Sequence, residues 1–310
     1  MAELNWGDAQ WQKVNDDVTE AFGKASVASA FLPMYGPLAG SAEIVRNERL
    51  QEDDTSTPPT IRLDRDHPSV NLKLVNLTVN VELTSEQVAD ETLSNALLAF
   101  RRAANILAME QDRVVFAGYK RGFAEENSSF VMNQVDPQKG LADLPARIGF
   151  PSVGFPLPPS VTLGKLVVTA VVRAMTALEE ASNPGPFACV LGSSLYEAVH
   201  DPSESLVLPA DRVTPLLRGG PLLRSGKIDP QTGIVVSLAG RVVDIVVGTP
   251  PTVQFLQRTP NARFLFRVYQ RFALRIRDDD LVRSPVAGFR LLPDAVTLRT
   301  EANRVYALNS

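Results

Sequence analysis

Four residues near the middle of the chain have the side-chain types of a hydrolase triad: Ser193, Ser194, His200 and Asp201. Nucleophilic catalysis by serine needs a base within hydrogen-bond reach and a turn that exposes the hydroxyl. The segment Gly-Ser-Ser-Leu lacks the second glycine of such a turn. Helix capping explains the serines more simply. A hydrolase is therefore the least favoured of the functions considered.

Two segments have residue types that bind metal ions. His67, one of two histidines in the chain, lies beside Asp64 and Asp66 in a polar stretch. No second cluster of ligands accompanies it, so a solvated loop histidine is the favoured interpretation. Carboxylate di-iron chemistry needs Glu-x-x-His pairs on facing helices, whereas Glu110 is followed at that spacing by Arg113. The sequence therefore predicts neither a metal site nor a catalytic set.

The composition excludes several classes of protein. Of the 310 residues, 45% are hydrophobic and 21% charged, as in soluble globular proteins. The net charge of −4 gives no general attraction to nucleic acid or anionic membranes. The single cysteine, Cys189, leaves no intrachain disulfide and no multi-thiolate metal site. Because neither a signal peptide nor a membrane-length apolar run is visible, we expect a cytoplasmic protein without nucleic-acid or membrane partners.

The longest uninterrupted helical pattern covers residues 92–117. Its apolar residues recur at helical spacing: Leu93, Leu97, Phe100, Ala104, Leu107, Val114 and Val115. Its other face is predicted to carry charges: Arg101, Arg102, Glu110, Asp112 and Arg113. Gly118 follows at the position of a C-terminal cap. We predict a rod of roughly 40 Å that needs a sheet or another helix over its apolar stripe.

Other segments mix helical and strand patterns. Helices are predicted at 8–26 and 162–182, and strands at 70–83, at 187–191 and in a series after 233. Asp8 is the predicted N-cap of the first helix, and Thr84 or Ser85 that of a short one. Because no regular βαβ order is present, the predicted class is α+β.

Two stretches are too polar or irregular for a core. Residues 46–69 contain three prolines and an acidic run, which predicts an extended loop or a projecting ribbon. Residues 120–160 are rich in Gly, Pro, Asn and Ser and are predicted to form an irregular loop. Long loops of this kind usually serve a function or an interface.

Several motifs occur in an order that resembles a known family. They are Ala-Gln-Trp-Gln-Lys-Val-Asn-Asp-Asp-Val at 9–18, Tyr-Gly-Pro-Leu-Ala at 35–39, Glu-Gln-Asp-Arg-Val-Val-Phe-Ala-Gly at 110–118, Gly-Pro-Phe-Ala-Cys-Val-Leu at 185–191, and the strand segments 234–250 and 264–276. Together they resemble the encapsulins, the linocin-type shell proteins of bacterial nanocompartments. The similarity runs with insertions from about residue 8 to 285.

The resemblance implies the Hong Kong 97-type fold of tailed-phage major capsid proteins. The implied divisions are an N-terminal helix and start of a peripheral domain (1–45), an extended loop (46–80), the peripheral domain with its spine helix (81–160), an axial domain (161–240), and a return to the peripheral domain with a tail (241–310). Some encapsulins stack a flavin on a tryptophan just before the spine helix. Here that stretch is Thr-Ser-Glu-Gln at 84–87, and the only tryptophans are Trp6 and Trp11, so no cofactor is predicted.

The function implied by the resemblance is structural. The chain would be a non-enzymatic subunit of an icosahedral shell, enclosing a cargo enzyme that carries a short targeting peptide, such as a peroxidase or a ferritin-like protein. A phage or prophage capsid protein that packages DNA is the alternative. The encapsulin-like N-terminal helix argues against that alternative, because in the family this helix receives cargo.

Two candidate sites follow from the same resemblance. Trp11, Val14, Val18 and Phe22 form one apolar stripe on the first helix and are the predicted cargo contacts. Packing of that stripe on the subunit's own sheet is the alternative left open. The second site is a pore, with Asp201 and Glu204 predicted to form its acidic rim. An ordinary surface turn is the alternative left open for this segment.

Overall fold

The computed structural model describes residues 4–53, 57–64, 71–119, 138–144, 162–202, 207–278 and 284–291. The chain divides into two compact units, one formed by 1–143 and 241–278 and the other by 144–240 and 279–310. Each unit combines helices with a four-stranded sheet, which confirms the predicted α+β class. Within the described ranges, no helix is long and apolar enough to cross a membrane.

The elements are as follows in chain order. The helices are α1 (Asp8–Ala25), α2 (Ser85–Ala89), α3 (Ser94–Ala117), α4 (Leu163–Glu180), α5 (Ser193–His200) and α6 (Pro209–Val213). The strands are β1 (Met34–Tyr35), β2 (Ile44–Arg46), β3 (Arg49–Asp53), β4 (Thr60–Asp64), β5 (Asn71–Lys73), β6 (Val75–Leu83), β7 (Phe187–Leu191), β8 (Leu222–Arg224), β9 (Thr232–Ser237), β10 (Val243–Arg258), β11 (Phe264–Ile276) and β12 (Val286–Arg290). Short 3-10 turns lie at Ala28–Ala30, Leu141–Asp143, Thr214–Leu217 and Ala239–Arg241.

The first unit is built on a sheet with strand order β1-β10-β11-β6. Burial alternates along β11 from Phe264 to Phe272, and the even-numbered residues of this stretch enter the core, where Phe264, Phe266 and Phe272 are almost completely buried. The ring of Phe266 meets that of Phe100 on α3 edge-on, with centroids 5.4 Å apart. Each such aromatic side chain contributes about 2–3 kcal/mol by leaving water. The apolar stripe of α3 therefore finds the sheet that the sequence pattern requires.

α1 packs against α3 and also covers part of the sheet edge at β10. The Oδ1 atom of Asn15 accepts a hydrogen bond from the backbone N–H of Val253 on β10 at 2.9 Å. An edge strand otherwise presents unpaired backbone groups to other chains. α1 therefore closes part of the sheet edge and belongs to the core of this unit.

Asp112 is a buried anchor, although the helical pattern predicts it on the charged face of α3. Only 3% of the residue is exposed. Its carboxylate accepts hydrogen bonds from the Ser26 hydroxyl at 2.9 Å and from the backbone N–H groups of Val27 and Ala28 at 2.8 and 2.9 Å. These donors begin the 3-10 turn after α1, where free N–H groups attract an anion. The prediction was wrong because the partner donors come from a segment more than eighty residues away.

The extended segment forms a two-stranded ribbon. Among the strands that the structure describes, β3 and β4 pair only with each other, and Leu50 lies opposite Leu63 across the pair. The foot of the ribbon is held to the end of β11, because the N–H of Leu50 donates to the carbonyl of Arg277 at 2.9 Å and the Nδ2 of Asn47 to that of Ile276 at 3.0 Å. Residues 65–70 lie outside the described part of the chain.

The second unit has the sheet order β12-β9-β7-β8, and α4, α5 and α6 pack with it around one core. β7 is buried along its whole length, as the apolar run predicts. Burial raises the pKa of the Cys189 thiol on this strand to about 12, so the thiol stays protonated and unreactive at neutral pH. β12 pairs with β9 and places 286–290 in this unit, whereas the resemblance assigns 241–310 to the peripheral domain.

Helix ends show where local prediction succeeds and fails. Thr84 caps α2 through a reciprocal bond pair with Gln87, as predicted. The N-cap of α1 is Gly7 instead of Asp8, and that of α5 is Gly192 instead of a serine. The predicted strand 70–83 is divided at Leu74, because β5 pairs with β2 while β6 pairs with β11.

We expect Asp112→Ala to lower the free energy of unfolding by about 2–4 kcal/mol, because it leaves buried donors without an acceptor. Asp112→Asn, which retains one carbonyl oxygen, should lose less. Chemical unfolding followed by circular dichroism measures the difference. The control is Asp16→Ala on the exposed side of α1, expected to change stability by less than about 0.5 kcal/mol. Equal stability of the alanine variants would refute the anchoring role of Asp112.

Candidate functional site

The predicted cargo stripe on α1 lies mostly inside the first unit. Val14 and Val18 are 0% exposed and Phe22 is 5% exposed. Trp11 is half-buried, and its ring lies edge-on to that of Trp6 with centroids 5.2 Å apart. Three of the four side chains are therefore occupied by the core, which is the alternative that the sequence left open.

Because these side chains are buried, a substitution in the stripe affects the stability of the unit as well as any cargo binding. An aspartate in place of Val14 or Val18 would put an unpaired carboxylate into a dry core, which costs several kcal/mol. Such a variant would test folding of the unit instead of cargo binding. A surface for a partner on α1 must use its other side chains.

An open cleft of about 600 Å³ lies where α1 and α3 run beside each other. Its lining comes from both helices: Asp17, Glu20, Ala21, Lys24, Ala25, Arg101 and Asn105. Ala21 and Ala25, one helical turn apart, contribute small side chains to the α1 wall beside the charged Asp17, Glu20 and Lys24. Small side chains among charged ones leave room for an extended chain.

Ion pairs fix the charged ends of the cleft. The Nε of Arg101 donates to both carboxylate oxygens of Asp17 at 2.9 and 2.8 Å, and Nη2 adds a bond of 2.5 Å. Asp17 raises the pKa of the Arg101 guanidinium through this pairing. On the same helix, the hydrogen bond from Lys24 lowers the pKa of Glu20. Because these groups are solvent-exposed, the pairs organise the surface more than they stabilise the fold.

Exposed apolar side chains continue from the cleft along α3. Leu98 is 67% exposed and Met109 is 38% exposed. With Asn105 in the cleft, they recur at steps of seven and four residues, so the three lie on one side of the helix. Exposed apolar side chains near the cleft offer area that a bound partner would bury.

The predicted pore residues lie in the second unit. Asp201 is exposed and directly follows α5. Glu204 lies outside the described residues.

The candidate hydrolase residues are not assembled for catalysis. Ser193 and His200 are the first and last residues of α5, which puts them about 10 Å apart along the helix. The imidazole of His200 instead lies tilted against the ring of Tyr196, with centroids 4.2 Å apart, and its Nδ1 lies 2.8 Å from the Tyr196 carbonyl oxygen.

The described residues contain no metal cluster, and Trp6 lies in the core of the first unit. His67 lies outside the described residues, and within those residues no group of three or more His, Cys, Asp and Glu side chains is placed to hold a metal ion. The indole of Trp6 stacks on Phe266 at 5.1 Å, and its Nε1 donates to the carbonyl of Val88 at 3.0 Å. Trp6 therefore serves the core of the first unit.

Sequence patterns missed the cleft because it depends on two helices distant in the chain. Asp17 and Arg101 each lie on the polar side of a predicted helix, and eighty-four positions separate them. The only signal was opposite charge on two amphipathic helices. Such a signal does not identify a pair until the packing of the helices is known.

Comparison with known proteins gives a consistent result. The sequence profile of the Linocin_M18 family, described as encapsulating protein for peroxidase, matches residues 3–143 and 156–273. The type 1 encapsulin shell protein EncA of Myxococcus xanthus (strain DK1622) is 22% identical over 293 residues, which cover 91% of this chain and 93% of EncA.

Solved structures show the same fold. The virus-like particle from Pyrococcus furiosus aligns with a TM-score of 0.63 at 15% identity, covering 90% of this chain and 99% of that chain. The capsid protein of Myoviridae phage XM1 aligns with a TM-score of 0.56 at 13% identity, covering 86% and 92%. The predicted Hong Kong 97-type capsid fold is thereby confirmed.

Proposed function

The chain belongs to the Linocin_M18 family of encapsulating proteins, the encapsulin shell proteins, and on that premise we propose how it assembles and what it encloses. Copies of the chain form a closed icosahedral shell in the cytoplasm. The subunit is structural and performs no catalysis of its own. The shell encloses an enzyme, such as a peroxidase or a ferritin-like protein, that carries a short targeting peptide.

The ribbon β3–β4 is the observation that carries the assembly proposal. Ile61 and Leu63 lie on the same face of β4 and are 65% and 46% exposed. An isolated two-stranded ribbon is marginally stable in water. Exposed β-branched and aliphatic side chains add apolar surface whose contact with water is unfavourable. Burial of this face against another copy supplies the missing contact. Repeated heterologous contacts with a fixed rotation close into a symmetric shell.

The expected product is a megadalton particle on size-exclusion chromatography with light scattering. Ile61→Asp with Leu63→Asp should abolish the particle while leaving the circular dichroism of the subunit unchanged, because neither side chain contributes to a core. Thr60→Asp, on the other face of β4, is the control and should assemble. A wild-type chain that remains at 33.7 kDa at micromolar concentration would disprove the shell.

A capsid that packages DNA is the second candidate, since phage capsids have the same fold. Similarity to the phage XM1 capsid at 13% identity shows fold alone. The family match includes α1, which favours the nanocompartment. Neighbouring portal and terminase genes would favour a phage, and a neighbouring peroxidase or ferritin-like gene the nanocompartment.

For cargo, the cleft between α1 and α3 replaces the buried stripe as the docking surface. It keeps the predicted helix but uses Ala21, Ala25 and the exposed Leu98 in place of Val14 and Val18. A few apolar contacts give weak affinity at one site. Many identical sites on one shell raise the effective concentration and compensate for that weakness.

Ala21→Arg should fill the cleft and empty the shells of cargo without preventing assembly. Thr19→Arg is the matched control, because Thr19 is exposed on the same helix and does not line the cleft. Mass spectrometry of shells purified from native cells measures the ratio of cargo to shell protein. If Ala21→Arg shells contain cargo at the wild-type level, this cleft is not the docking surface.

For the pore, exposed Asp201 together with Glu204 forms an acidic rim around a symmetry axis. A ring of like carboxylates concentrates cations and repels anions. Asp201→Lys with Glu204→Lys should therefore slow cation entry into loaded shells, measured by stopped-flow uptake. If intact shells of the variant take up cations at the wild-type rate, Asp201 and Glu204 do not form the pore rim.

A further inference from the structure

The side of α3 that faces away from the sheet has the residue spacing of a coiled coil. Leu98, Arg102, Asn105 and Met109 follow one another at steps of four, three and four residues. Such steps keep side chains on one stripe of a helix, at positions d, a, d and a of a coiled-coil heptad. We call these four residues the second stripe of α3, because the buried stripe on the other side of the helix packs on the sheet.

The two ends of the second stripe are apolar and exposed. Leu98 is 67% exposed, more than any other large apolar side chain that the structure describes, and Met109 is 38% exposed. On one flank of the stripe, the half-buried Ala99 and Ile106 add apolar surface. Contact of apolar surface with water is unfavourable. The second stripe therefore gains free energy when another surface covers it.

The middle of the second stripe is polar and lacks a partner within the described part of the subunit. The exposed guanidinium of Arg102 and the half-buried amide of Asn105 form neither a hydrogen bond nor an ion pair with any described side chain. The preceding Arg101, by contrast, is held by Asp17. Arg102 and Asn105 therefore keep their side-chain donors and acceptors for another molecule.

The order of the four residues is symmetric about a point between Ala103 and Ala104. Leu98 and Met109 are equidistant from that point, and so are Arg102 and Asn105. Two identical helices that run antiparallel, with a two-fold axis at this point, form matching pairs. Leu98 then lies opposite Met109 of the partner subunit, and Arg102 lies opposite Asn105 of the partner subunit.

The side chains that meet in this arrangement suit each other. Leu98 and Met109 are both apolar, and the Oδ1 atom of Asn105 can accept a hydrogen bond from the guanidinium of Arg102. Helical side chains lean toward the N-terminus of their own helix, so the two copies of Arg102 lean away from the axis and from each other.

The polar pair also fixes the register of the two helices. A shift of the partner by one heptad would put Arg102 opposite Leu98, or Asn105 opposite Met109, and so place a polar side chain against an apolar one. Polar residues at such positions specify register in coiled coils for the same reason. The second stripe is therefore self-complementary in a single antiparallel register.

The second stripe is too small to hold two free subunits together. A stable complex buries about 800 Å² on each partner, which four side chains of one helix do not supply. The contact therefore needs other contacts between the same subunits, as in a closed assembly. An icosahedral shell has two-fold axes, and the contact at such an axis uses the same surface of both subunits.

We propose that the α3 helices of two subunits pair antiparallel across a two-fold axis of the shell through their second stripes. This inference rests on the proposed shell and adds one contact to it. The contact uses no side chain of α1, so the α1 wall of the cargo cleft remains for the cargo, with Leu98 between the two surfaces.

Cysteine cross-linking tests the pairing, because the natural chain has only Cys189, whose thiol is buried. A chain with Leu98→Cys and Met109→Cys should form a disulfide-linked dimer when assembled shells are treated with a mild oxidant. A disulfide needs Cα atoms less than about 7 Å apart. Within one α3 the two positions are about 16 Å apart, so no bond forms inside a subunit. Non-reducing gel electrophoresis measures the dimer, which should contain most of the chain.

The two single variants, Leu98→Cys and Met109→Cys, are the matched controls. In either one, the identical cysteines of a helix pair lie about 16 Å apart along the axis, so neither variant should cross-link alone. Shells assembled from a mixture of the two variants should cross-link. Equal cross-linking of a single variant, or intact double-variant shells without a dimer, overturns the proposal.

Charge placement provides a second test that needs no oxidant. Leu98→Lys with Met109→Glu puts opposite charges at both contacts across the axis, whereas Leu98→Lys with Met109→Lys puts like charges there. Both variants lose the same apolar contact, and both side chains are exposed in the subunit, so both should fold by circular dichroism. We expect the like-charged variant to assemble about tenfold less at a fixed protein concentration, measured by sedimentation velocity. Equal assembled fractions of the two variants would contradict the pairing.

These results distinguish the pairing of α3 from the proposed function. If the wild-type chain forms no particle, the proposed shell fails. If the wild type and the double-cysteine variant form particles without a cross-linked dimer, the shell stands and only the pairing of α3 is wrong.

Discussion

The packing of α3 on one face of the β10–β11–β6 sheet is the contact on which the first unit depends. The rings of Phe100 and Phe266 are in contact there, and Leu107, Phe264 and Phe272 are also buried. Side chains alternate along a strand. Because the even-numbered residues of β11 lie in this core, the odd-numbered residues lie on the other face of the sheet. The placement of Arg267 and Tyr269 on that face is thus a direct consequence of the register that forms the core.

α1 is fixed to the same core along its length, which limits how it can serve a partner. Val14 and Val18 are buried, Asp17 pairs with Arg101, and Asp112 holds the turn that follows the helix. A helix held in this way does not offer its apolar stripe to cargo. The polar and small side chains beside α3 are what remains accessible, and the cleft between the two helices is made of them.

In the proposed assembly, the ribbon β3–β4 contacts other copies of the chain, and the first unit holds the ribbon in place. The ribbon is tied to the sheet at Asn47 and Leu50, so its direction is set by the end of β11. Its exposed Ile61 and Leu63 contribute little to the stability of the isolated subunit. Contacts of this kind allow a subunit to fold first and assemble afterwards, because burial that the monomer lacks is supplied by its neighbours.

The amino-acid sequence was sufficient to predict the element types and the family. Strong periodicity identified α3, α4 and β11, because a helix or strand with one buried face repeats apolar residues at 3.6 or 2 positions. Contacts between distant segments established which polar residues are buried and which apolar residues remain in water. Asp112 is buried because donors from Ser26–Ala28 surround it, and the stripe on α1 is core because β10 and α3 lie beneath it. These outcomes depend on contacts between segments distant in the chain, and periodicity reports only neighbours along it.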